Sequence, residues 1–132
     1  MNATIRQLLD TADLLIEDNG GPATTGPVTG GPATTTSRCR GAAFALRAAL
    51  ESAVAARLTA YGAPRPIREG SMRAALLWLR GCAEAETARR AKAVWSQLCL
   101  GCHYHQYETG PTEDQVRTWR TEVIAIIALL AH

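Results

Sequence analysis

Apolar residues recur at helical spacing along most of the chain. From Asn2 to Asp18, Ile5, Leu8, Leu9, Leu15 and Ile16 share one broad face with acids opposite, which predicts a short amphipathic helix. Ser37 to Tyr61 is rich in Ala, and Leu46, Leu50, Val54 and Leu58 recur at every fourth position with Tyr61 closing the stripe, the pattern of a long helix. Gly62-Ala63-Pro64-Arg65-Pro66 breaks it. Ser71 is a good N-cap for a helix through Arg80 that buries Met72, Ala75, Leu76 and Leu79, with Gly81 at its end. The next helix is predicted from Glu84 to about Tyr107, with Ala88, Ala91, Trp95, Leu98 and Cys102 on one side. After Gly110-Pro111, Thr112 and Gln115 form a capping box, and Val116, Trp119, Val123, Ile126 and Leu130 follow at alternating spacings of three and four.

No segment sustains the period of two that a half-buried strand requires. The fold class is therefore all-α: a four-helix bundle core with an additional N-terminal helix on a flexible linker. Residues 1–18 form the N-terminal helix, 19–36 the linker and 37–132 the bundle domain. The linker holds five Gly, three Pro and six Thr, and repeats Gly-Gly-Pro-Ala-Thr-Thr at 20–25 and 30–35. Such composition marks low complexity without chemistry. As a flexible chain it spans roughly 20–25 Å, enough for the first helix to dock on either end of a small bundle.

Composition narrows the class. The longest apolar run, Val123 to Ala131, has nine residues, half of what a membrane span needs, so no membrane association is expected. Asp10, Asp13, Glu17 and Asp18 interrupt any apolar signal core, and the expected location is the cytoplasm. Cys39, Cys82, Cys99 and Cys102 then read as reduced thiols rather than two disulfides. Thirteen of the fourteen bases are Arg, with Lys92 the one Lys, and Ala is abundant, a bias of GC-rich genomes such as those of actinobacteria. Net charge is −3 over residues 1–36, +7 over 37–92 and −2 over 93–132. An Arg-rich middle can contact phosphates, although Arg47, Arg57, Arg73, Arg80, Arg89 and Arg90 also fit the solvated faces of helices.

Chemistry concentrates in residues 95–108, Trp-Ser-Gln-Leu-Cys-Leu-Gly-Cys-His-Tyr-His-Gln-Tyr-Glu. Cys99-x-x-Cys102-His103 matches the attachment pattern of c-type haem, but no export signal accompanies it and it lies within a predicted helix. On a helix Cys102 and His103 fall within about 60° of Cys99, so the three could face one zinc ion with a fourth ligand from elsewhere. Small thiols buried in an Ala-rich helix account for the same residues, and His103 then reads as a solvated helical His. His105 points about 120° away from Cys99 and cannot join that set. No metal and no cofactor is assigned. Trp78, Trp95 and Trp119 occupy core-compatible helical positions, which favours packing over base stacking.

His105-Gln106-Tyr107, followed by a break and a capped amphipathic helix with Val116-x-x-Trp119, resembles the HEPN superfamily of small all-α proteins with nucleotide-related and ribonuclease roles. The resemblance spans roughly residues 40–130, and its specific part is the last third. It implies a homodimer in which Arg and His of two chains meet across the interface to cleave RNA without metal, the His exchanging a proton and the Arg stabilising phosphorane charge. His105 would be the acid/base and Tyr107 its helper, in a crevice shared by two subunits. Tyr107 would also be the acceptor for a nucleotidyltransferase antitoxin of a toxin–antitoxin pair. Its alternative role is packing at the helix end with a solvated hydroxyl. The family's Arg precedes its His by five to seven positions, and here those positions hold Leu100, Cys99 and Leu98. An Arg from elsewhere, such as Arg73, Arg80 or Arg120, would have to replace it. The rival reading is a non-catalytic dimeric helical module that binds a protein partner.

Overall fold

The computed structural model describes residues 2–17, 35–102 and 110–131, and every regular element among them is helical. They form α1 (Ala3–Glu17), α2 (Thr35–Tyr61), α3 (Arg65–Arg68), α4 (Met72–Leu79), α5 (Ala85–Cys102) and α6 (Glu113–Leu130). The expected linker lies outside the described residues except for Thr35 and Thr36, which open α2. No described helix is long and apolar enough to cross a membrane.

α2 is the axis of the molecule, packed by α1, α4, α5 and α6. Its 27 residues reach about 40 Å. One apolar stripe does not describe it. Leu46, Leu50, Val54 and Leu58 are fully buried, and Ala42, Ala43, Ala45 and Ala49 are buried with them, so the buried arc is wider than the leucine stripe. Small side chains let several helices approach one backbone at once. Tyr61 does not close the stripe: it is exposed, because α2 ends there in a turn. Gly62 adopts φ +86°, and Ala63 N–H bonds back to the Leu58 carbonyl, a Schellman closure that only a residue tolerant of positive φ permits.

The Pro pair at 64 and 66 was expected to be a plain break, yet α3 begins directly after Pro64. Pro is tolerated in a first helical turn because its missing N–H has no intrahelical acceptor there. Ser71 caps α4 as expected, accepting from Ala74 N–H at 3.2 Å. Ala75, Leu76 and Leu79 are buried, whereas Met72 is half-buried. Both halves of the α6 capping box form: Gln115 N–H donates to Thr112 Oγ1 at 3.1 Å, and Thr112 N–H to Gln115 Oε1 at 2.9 Å. Val116, Val123, Ile126 and Leu130 are buried and Trp119 is half-buried.

α1 lies along α2 and shares its core through Ile5, Leu9, Ala12 and Ile16. Arg120 of α6 grips the Asp13 carboxylate with Nε and Nη2, which fixes α1 from its polar side as well. Arg57 donates from Nε and Nη2 to the Cys82 carbonyl at 3.0 and 2.8 Å, tying α2 to the turn between α4 and α5.

Candidate functional site

α5 carries the Cys-containing half of the segment where chemistry was expected. Its Trp95 donates from Nε1 to Glu51 Oε2 on α2 at 3.3 Å. Seven residues on, Cys102 lies on the same face, and its half-buried thiol is pushed up in pKa by burial, against the opposing influence of the Arg47 guanidinium. Residues 103–109 follow, so His103, His105 and Tyr107 lie outside the described residues. The thiols at 39, 82, 99 and 102 are all free, and no cluster of three or more metal-ligating side chains occurs among the described residues. The third ligand of the zinc reading, His103, is not among them.

The flanks of 103–109 are described, and both touch α2. On one side Gly101 sits so close to α6 that a Cβ there would stand 2.9 Å from Trp119 Cζ3 and 3.4 Å from Ala43 Cβ. On the other, a Cβ on Gly110 would meet Thr36 Cγ2 at 2.5 Å and Arg40 Nε at 3.3 Å. Arg40 and Arg47 are seven residues apart on α2, about 10 Å along one face. Arg47 lies over the ring of exposed Phe44, 5.2 Å from its centroid, and its buried Nε has no hydrogen-bond partner among the described residues. Sequence reasoning named Arg47 only among the arginines that contact phosphate or lie on solvated helix faces, and it missed Arg40. Their heptad spacing was legible, but their neighbours across the fold were not.

Of the three arginines considered as replacements, Arg120 is committed to Asp13. Arg73 and Arg80 instead open on a groove of about 880 Å³ between α4 and α5, opposite Arg89 and Lys92. Its floor includes Leu77 and Trp95 together with small alanines of α5. Leu77 is 64% exposed and the neighbouring Trp78 39%, so Trp78 is not the core residue its helical position suggested. Arg89 is paired with Glu86 on its own helix. Arg73, Arg80 and Lys92 have no ion-pair partner among the described residues. A smaller hollow between α5 and α6 carries Glu122, whose pKa is held down by hydrogen bonds from Arg90 at 2.9 and 2.6 Å.

Comparison of the chain with family models, with curated proteins and with solved structures finds no match.

Proposed function

We propose that the protein is a cytoplasmic, nucleic-acid-associated module of HEPN-like type, a divergent RNA endonuclease in a toxin–antitoxin setting. In this reading α2, α4, α5 and α6 are the four principal helices and α1 the added N-terminal helix. The observation that carries it is the placing of α2 against both flanks of the segment bearing His105 and Tyr107: Ala43 meets Gly101 on one side, one turn from Arg47, and the Arg40 guanidinium meets Gly110 on the other. The sequence lacks a local Arg, and a partly desolvated guanidinium on α2 supplies the charge that a phosphorane needs. His105 exchanges the proton of the 2′-hydroxyl or of the leaving oxygen, Arg47 offsets the developing charge, and Tyr107 assists. Two chains form the working unit, and a nucleotidyltransferase antitoxin is the expected partner, with Tyr107 as its acceptor.

The test is RNA cleavage by the wild-type chain, His105→Ala and Arg47→Ala. Loss of cleavage in both variants supports the reading, and equal products from wild type and His105→Ala refute it. A second reading, a non-catalytic dimeric module binding a protein partner, is favoured by the exposure of Phe44 and Leu100. A dimer by light scattering with no cleavage of any RNA by the wild type would select it.

A further inference from the structure

The groove between α4 and α5 has two kinds of lining that point to one kind of ligand. Arg73 and Arg80 stand about 10 Å apart in backbone, one in the first turn of α4 and one at its C-cap. Lys92, with Arg89 beside it, faces them from α5. Between these cationic rims lies an apolar floor that includes exposed Leu77 and the Trp95 ring. Trp95 is held there by its bond to Glu51, so the floor is preformed. Among the described residues no carboxylate lines the groove; Glu86 stands outside it, paired with Arg89. Glu122, the acid of the neighbouring hollow, is occupied by Arg90.

We infer that this groove binds single-stranded nucleic acid, with phosphates on the Arg73, Arg80 and Lys92 rims and base faces on the Leu77 and Trp95 floor. The choice of nucleic acid as occupant rests on the function proposed above. The single-stranded form follows from the lining. A strand with exposed base faces uses both a charged rim and an apolar platform, whereas a duplex keeps its bases stacked inside and uses only the rim. The α5 residues that line the groove run from Ala85 to Ser96, so it follows that helix in the direction of its C-terminal end, beyond which the chain carries His105.

The test uses full-length His105→Ala protein and a fluorescein-labelled 12-nucleotide oligouridylate, read by anisotropy. Arg73→Glu/Arg80→Glu should weaken binding at least tenfold. Leu77→Glu, at an exposed position that leaves the core intact, should weaken it about fivefold, and a 12-base-pair duplex RNA should bind at least fivefold less tightly than the single strand. Unchanged binding in both variants, equal binding of the duplex, or displacement of the oligonucleotide by a short acidic amphipathic helical peptide that binds more tightly would overturn the assignment. Cleavage of the same oligonucleotide by wild type separates the two proposals. Groove-dependent binding without cleavage removes the nuclease and leaves the groove. His105-dependent cleavage that proceeds unchanged in Arg73→Glu/Arg80→Glu removes the groove and leaves the nuclease.

Discussion

Gly101 is the position where adding one methyl group tests the packing most sharply. It is the penultimate residue of α5, set against both α2 and α6, and a Cβ there would fall 2.9 and 3.0 Å from two ring carbons of Trp119. Ordinary carbon contacts lie near 3.5–4.0 Å, so the shortfall is about 0.5–1 Å. The ring cannot yield cheaply, because Trp119 Nε1 donates to Gln97 Oε1 at 2.9 Å and the indole bridges α6 to α5. Overpacking of this kind costs about 1–3 kcal/mol, while replacing Gly by Ala in a helix gains about 1 kcal/mol. Gly101→Ala should therefore destabilise the fold by about 1 kcal/mol. Gly41 in α2 provides the control. There a Cβ meets only Leu15 Cδ1, at 3.1 Å, and that terminal methyl can rotate away. Gly41→Ala should stabilise by about 0.5–1 kcal/mol. In urea unfolding the two variants should move the midpoint in opposite directions, by roughly 0.5 M each. In a Trp119→Leu background the Gly101→Ala penalty should vanish, since the flexible side chain can move. A Gly101→Ala protein as stable as wild type would refute this packing of α5 on α6.

Other expectations follow from contacts elsewhere. Leu50→Ala, in the fully buried heart of α2, should cost about 2–5 kcal/mol by denaturant unfolding; a cost below about 1 kcal/mol would mean that α2 is not the axis of the core. Asp13→Asn removes the charged clasp on Arg120, a partly solvated pair worth at most about 1 kcal/mol. Amide exchange in α1 should accelerate while that in α2 stays unchanged, and equal acceleration in both would show that α1 does not open separately. Glu122 has a folded pKa below its unfolded value of ~4.3 because Arg90 hydrogen-bonds to its carboxylate. The stability it contributes is complete above that unfolded value and disappears as pH falls through the lower folded one. The thermal midpoint of Glu122→Gln should approach that of wild type on acidification below about pH 4, and a constant gap would contradict the linkage.

What could be read from the sequence was local. Thr112 and Gln115 announce the start of α6 because a capping box is made by residues three apart, and Ser71 does the same for α4. The breadth of burial around α2 was harder to read, since an alanine placed to admit a neighbouring helix looks like one placed for helix propensity. Trp78 carried the opposite ambiguity: its spacing fits a core position, but α4 is too short and too peripheral to cover it. The pairing of Arg120 with Asp13 spans 107 positions, and no short-range pattern reports it. The same holds for Arg40 against Gly110 and for the rims of the groove, which come from two helices brought side by side by the turn at Gly81. His105 and Tyr107 rest on the sequence motif alone, outside the described residues.

Affinity for a strand should carry the imprint of the phosphates that are neutralised. The most direct measurement is the binding constant of the His105→Ala protein for the 12-nucleotide oligouridylate across a series of salt concentrations. Three available cations, Arg73, Arg80 and Lys92, should give a slope of about −2 in log K against log salt, and Arg73→Glu/Arg80→Glu should bring it close to zero. A slope near zero in the parent protein, or one unmoved by the double substitution, would contradict nucleic-acid association through this groove.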